Sequence, residues 1–278
     1  MLPLPVMAAV LCGAALHAGW NVSVRAGADR RRETALLVAG ATAIALLALP
    51  FLSQPRPAAW LYIAASACVH VGYFSLVAAA YTRGGVALAY PLMRGVAPAL
   101  TAIAAFLLLG EALPWQGWLG VAAVCSGVLL MARGGGHGDG KAAPVALLNA
   151  GVIAAYTLID GVGVRASAAP LAYTLWLYVL TSLPTLFALQ HRRGALTLRP
   201  DWREAVRGLG AGGASIGSYA LALWAMTQAP VAPVAALRET AMLFGLVLAR
   251  LVLGERPGRR RWAAAAVIAL GAALLHFG

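Results

Sequence analysis

Two arginines stand where a charge is costly. Arg94 lies in AYPLMRGVAP (89–98) and is the one charged side chain in the apolar run from Gly84 to Gly110; Arg238 lies in APVAALRETAM (232–242), with Glu239 beside it. A guanidinium keeps its proton at neutral pH, and its planar fork of donors matches a carboxylate or a phosphate. The expected chemistry is therefore recognition of an anionic group on a small substrate. A structural ion pair with Glu239 or Asp160 is the competing use of either arginine. Successive helical residues point about 100° apart, so Arg238 and Glu239 need not pair with each other. Tyr90, one turn from Arg94 and next to Pro91, joins the candidate substrate-binding set. His17, Trp20 and Asn21 fall at i, i+3 and i+4 and share a helix face. On that face a histidine can carry a proton, an indole can stack on a substrate and an amide can orient it. Trp20 and Asn21 serve equally well as interfacial anchors near a helix end. Glu239, Asp160 and His17 are the candidates for proton coupling, because a carboxyl held in low dielectric can take up a proton near neutral pH. Asp160 follows Tyr156 by one turn, and its plainer reading is capping or pairing at the end of its helix.

The elements that must hold these groups are apolar and long. Of 278 residues, 62% are hydrophobic and 11% charged, against about 25% charged in a typical soluble domain. Runs of 18 or more apolar residues recur, enough to cross a hydrocarbon core of about 30 Å. The chain reads as an all-α integral membrane protein. Hydropathy gives ten spans: 3–25, 34–53, 58–81, 86–109, 114–132, 145–165, 170–190, 207–227, 231–253 and 261–277. A charge at mid-membrane costs about 2.5–3.5 kcal/mol on insertion scales, so Arg94 and Arg238, each about 12 Å into a span, are expected to face protein or a hydrated cavity. Pro91 and Pro98 are expected to bend span 86–109, and irregular backbone is tolerated where it lines a cavity.

The two arginines are also counterparts in an internal repeat. A shift of 144 sets LLLGE, ending at Glu111, against RLVLGE, ending at Glu255; it also pairs Arg94 with Arg238, Trp118 with Trp262 and Gly127 with Gly271. A shift of 140 sets VSVRAG (22–27) against VGVRAS (162–167), and one of 146 pairs Tyr73 with Tyr219. This is two copies of a five-helix unit, residues 1–132 and 145–278, with a glycine-rich linker at 133–144. An odd number of helices per copy turns the second upside down, the plan of many secondary transporters. The charges give a direction. All but four of the 21 lysines and arginines (Arg56, Arg94, Arg165 and Arg238) fall in the connections after spans one, three, five, seven and nine. Those connections should face the cytoplasm, placing both termini outside a cytoplasmic membrane.

Other readings fall away. The net charge of +12 sits in short loops, which suits anionic lipid headgroups, and no nucleic-acid recognition module is visible. Cys12, Cys68 and Cys125 lie in apolar segments at spacings that fit no metal site. Gly135–Lys141 follows the GxxxxGK spacing, but Ala142 replaces the required hydroxyl residue and no strand precedes it. The first 21 residues lack the basic start of a signal peptide and are read as a retained helix. Glu111 and Glu255 are read as surface residues that cap or pair locally. His70, Ser215, Ser218, Tyr219 and Trp224 are read as packing residues.

LHAGWNVSVRAG (16–27), YPLMRGVAPAL running to LLLGE (90–111) and APVAALRETAMLFG running to VLGE (232–255) together resemble the drug/metabolite transporter superfamily, in its EamA-like branch. The likeness covers residues 8–277. It implies ten helices in a five-plus-five inverted repeat, a central cavity and transport of small metabolites, often as efflux. It also implies termini in the cytoplasm, opposite to the charge count. No cofactor is implied. The expected function is a secondary carrier of a small anionic or zwitterionic metabolite, such as an amino acid or organic acid, working by alternating access and coupled to protons. The alternative is an intramembrane enzyme or lipid-processing protein using Asp160, Glu239 or His17, although no enzyme motif is present. Expected partners are the substrate and membrane lipids; the sequence is silent on oligomeric state.

Overall fold

The computed structural model describes residues 2–84, 86–132, 142–191 and 199–277. Their regular structure is helical, with no strand among the described residues. In chain order the helices are α1 (Leu4–Ala26), α2 (Arg30–Ala48), α3 (Ala59–Gly84), α4 (Val86–Leu109), α5 (Trp115–Ala132), α6 (Ala142–Ser167), α7 (Pro170–His191), α8 (Trp202–Gln228), α9 (Val231–Leu237), α10 (Ala241–Val252) and α11 (Arg259–Phe277). Eight helical segments are long and apolar enough to cross a bilayer, and Trp115–Met131 is a shorter apolar helix. The chain is thus a multi-pass membrane protein.

Several helix starts lie ahead of the expected spans, and those of α6 and α8 have a local reason. The linker expected at 133–144 gives up Ala142, Ala143 and Pro144 to the first turn of α6, where a proline costs no hydrogen bond. Residues 133–141, with the phosphate-loop spacing, lie outside the described residues, as do Arg192 and Arg193. Helix α8 starts at Trp202 rather than 207. Asp201 caps it by accepting from the Glu204 N–H at 2.8 Å, and Glu204 reaches back to the Asp201 N–H at 3.2 Å, a reciprocal cap that hydropathy does not see. Pro91 and Pro98 do not interrupt α4, which continues through both. The interruption falls on the other copy. There α9 gives way to a 3₁₀ turn, Arg238–Thr240, before α10, and the Thr240 hydroxyl bonds the Leu237 carbonyl at 2.7 Å. A side chain that satisfies the backbone locally competes with the helical ladder.

The helices alternate in direction, and their ends meet as strict alternation requires. At one end Arg25 pairs with Glu255 and Arg207 with Glu33, and Arg32 grips Glu204 with both arms at 2.8 Å. That grip holds the Glu204 carboxyl down to about 2. At the other end Arg165 pairs with Glu111, the Arg56 N–H donates to the Ser167 carbonyl, and His276 meets the Leu2 carbonyl. The LGE turns are alike in both copies. Gly110 and Gly254 take φ of +66° and +67°, and the Glu111 and Glu255 N–H groups close back on Ala105 and Ala249, each at 3.2 Å. This is the glycine-dependent helix ending that satisfies an otherwise orphan carbonyl.

Glycines let α2 and α8 touch backbone to backbone. A Cβ on Gly212 would lie 2.4 Å from the Ala41 nitrogen, whereas one on Gly210 meets nothing within 4 Å. Gly212→Ala is therefore expected to destabilise the fold by about 1–3 kcal/mol through overpacking. Gly210→Ala should be neutral or stabilising by up to about 1 kcal/mol through helix propensity. Thermal unfolding of the two variants in detergent checks this; equal effects would show that the contact is not limiting.

Candidate functional site

Arg94 and Glu239, from α4 and the 3₁₀ turn, form a two-pronged ion pair in the interior. The Arg94 Nε donates to Oε2 at 2.9 Å and Nη2 meets Oε1 at 2.9 Å. The two residues are 8% and 4% exposed. Paired and buried in this way, Arg94 has its charge answered within the protein, the arrangement that the competing reading describes. The repeat counterpart is treated differently. The Arg238 guanidinium lies 4.9 Å above the Tyr219 ring and, among the described residues, has no carboxylate within ion-pair distance. The side chain is half-buried. Within the 3₁₀ turn at 238–240 the two neighbouring side chains take different bearings, Glu239 toward α4 and Arg238 over the Tyr219 ring.

Asp160 is not at the end of its helix. Helix α6 continues to Ser167, and Asp160 is fully buried. Its Oδ1 accepts from the Tyr173 hydroxyl at 2.9 Å and its Oδ2 from the Tyr219 hydroxyl at 2.5 Å. Tyr219 thus joins Asp160 to Arg238, hydroxyl on one and ring face on the other. His70 stacks on Tyr156 with centroids 4.2 Å apart, and its Nδ1 lies 3.2 Å from the Ser66 hydroxyl, which also borders Asp160.

On α1, His17 and Trp20 meet edge to face at 4.9 Å, and His17 feels the charge of both Arg94 and Arg238. Asn21 uses its amide on the His17 carbonyl, 2.8 Å away and in the same helix. Trp20 lines a cleft of about 830 Å³ between α1, α8 and α10, and its buried Nε1 has no hydrogen-bond partner among the described residues. Tyr90 is half-buried one turn before Arg94. The geometry therefore gathers Arg238, His17 and Tyr219 near the Arg94–Glu239 pair. Asp160, Glu239 and His17, the candidate enzyme groups, each have separate partners. Tyr219 and His70, read from the sequence as packing residues, are integral to the cluster; the repeat match of Tyr73 with Tyr219 was the signal available for one of them.

The pattern of the EamA-like transporter family matches this chain twice, over residues 4–133 and 140–277. No curated protein matches the chain. Among solved structures 29 chains match. One crystal structure, 21% identical, superposes with a TM-score of 0.73 over 97% of this chain and 98% of that chain; at that identity the likeness speaks to the fold alone. With the family pattern matched in both halves of a helical membrane frame, the chain belongs to the EamA-like transporter family, whose members carry small molecules across membranes.

Proposed function

We propose that the protein is a secondary carrier of a small anionic or zwitterionic metabolite, an amino acid or organic acid in size and charge. Its two inverted five-helix repeats, ten spans in all, rock around a site near mid-membrane. The arginine-rich end, with Arg25, Arg32 and Arg207, faces the cytoplasm, and both termini lie outside. The observation that supports this reading best is Arg238. It is a half-buried guanidinium in a 3₁₀ turn, answered by an aromatic face and by no acid among the described residues, so a substrate anion would complete it. His17, Trp20 and Tyr90 would border that substrate. Labelled amino acids and organic acids offered to proteoliposomes test the idea directly. Chemical change of the compound during passage would point to an enzyme instead. No uptake or exchange of any of them would leave the anion reading without support.

Asp160 is the proposed proton carrier. Glu239 is already committed to Arg94, whereas both Asp160 oxygens take neutral hydroxyl donors. Asp160→Asn is expected to lose pH-gradient-driven accumulation by about tenfold or more while keeping substrate exchange, because exchange needs no net proton movement. Gradient-driven accumulation at the parent level in Asp160→Asn would remove the coupling role.

A further inference from the structure

The two repeats exchange their end charges. Arg25 and Arg165 are counterparts in the repeat register, and so are Glu111 and Glu255. In the fold, Arg165 of the second copy pairs with Glu111 of the first at 2.8 Å, and Arg25 of the first pairs with Glu255 of the second at 2.7 Å. Each pair ties one copy to the other, one at each end of the bundle. Glu111 reaches a distant partner rather than the local one expected from sequence, whereas Glu255 also keeps a local partner, Arg261 at 3.8 Å.

The two ties are chemically the same and structurally unequal. At the Arg165 end the arginine side chain is 35% exposed and the glutamate 11%. Its second oxygen accepts the Val231 N–H at 2.7 Å, capping α9, while Arg165 also donates to the Met226 and Ala229 carbonyls at 2.7 and 3.0 Å. At the Arg25 end the two side chains are 49% and 34% exposed. The cleft of about 830 Å³ between α1, α8 and α10 runs to this end: Ser23 and Arg207 line both it and an adjoining pocket of about 350 Å³.

We propose that Arg165–Glu111 and Arg25–Glu255 are reciprocal latches of the carrier, the first buried and shut while the cleft is open at the Arg25 end, the second in contact but hydrated in this state and becoming buried as the molecule switches. The inference rests on the carrier reading above. When two inverted copies trade conformations, the opposite state is the same structure with their roles exchanged. A contact that is tight at one end then has a counterpart that must tighten at the other. Ion pairs suit the task, since a hydrated pair is worth little and a half-buried, hydrogen-bonded one resists breaking. Switching then need not disrupt the apolar core. Residues Arg25, Glu111, Arg165 and Glu255 are positioning residues under this proposal, without contact to the transported molecule.

The test reads the opening of the cleft rather than transport. Ser23 is exposed in the cleft, so Ser23→Cys, in a chain with Cys12, Cys68 and Cys125 replaced by alanine, is modified in nanodiscs with a charged thiosulfonate reagent. Glu111→Gln and Arg165→Gln should each slow modification by about fivefold or more as the population moves to the opposite state. Glu255→Gln and Arg25→Gln should leave it at the parent rate or faster. A merely structural role would loosen the bundle and speed modification in all four. Gel filtration identifies folded variants, and the two members of each pair test the same latch. Unchanged or faster modification in a folded Glu111→Gln or Arg165→Gln variant, or slowed modification in Glu255→Gln, overturns the proposal. Failure of every substrate to move in proteoliposomes, with this pattern of signs intact, would sink the carrier reading and leave the latches standing.

Discussion

Glu239→Gln will destabilise the protein by about 3–5 kcal/mol, because it leaves the Arg94 guanidinium buried without its counter-charge. Arg94 is 8% exposed, and both prongs of its fork end on Glu239 oxygens at 2.9 Å. An amide in place of the carboxylate keeps the shape and one acceptor but removes the charge. Taking out both partners together has a different consequence. Arg94→Met with Glu239→Leu leaves no orphan charge, and such double replacements are often neutral or stabilising. The double variant should therefore unfold within about 1 kcal/mol of the parent, with a coupling between the two sites of several kcal/mol. Unfolding of the parent, Arg94→Met, Glu239→Leu and the double variant in detergent measures it. Additive effects would mean that the pair carries no mutual stabilisation and that Arg94 is available for another task.

Arg238→Gln will do the opposite: a loss of transport of about 100-fold or more, with stability changed by no more than about 1 kcal/mol. The stability effect is small because Arg238 holds no carboxylate among the described residues, and its contact with Tyr219 is a cation–π one, worth about 0.5–2 kcal/mol. The transport effect is large because an anion bound in a site of low dielectric loses its one matching charge; losing a buried hydrogen-bonded charge partner costs about 2–5 kcal/mol or more in recognition. Arg238→Lys keeps the charge and loses the fork, so it should transport at an intermediate rate. Exchange of labelled substrate across proteoliposome membranes, beside the melting temperature of the same preparations, separates the two effects. Parent-level exchange in Arg238→Gln would remove Arg238 from the substrate site.

The contrast between these two arginines shows how far residue patterns reach. Their spacing of 144 and their position in apolar runs mark them as equivalent and as buried for a reason. Nothing local marks which of them has a partner, because Glu239 finds Arg94 across 145 residues of chain. The 3₁₀ turn at 238–240 that holds both side chains carries no proline or glycine to announce it. Asp160 illustrates the same limit. Its acceptors are filled by hydroxyls from α7 and α8, which no spacing within α6 contains. The start of α8 was missed for a simpler reason: its cap is made by polar residues that lower hydropathy.

Composition and periodicity determined the solvent, the helical class, the duplication and the short set of polar groups with reason to be inside, because those properties are sums over segments or repeats along one chain. Pairing was decided only by tertiary structure. Which arginine is neutralised, which acid is held by tyrosines, and how Arg25 and Arg165 cross to the other copy's glutamate all depend on which helix faces are brought within about 3 Å of each other, and that is a property of packing between distant segments.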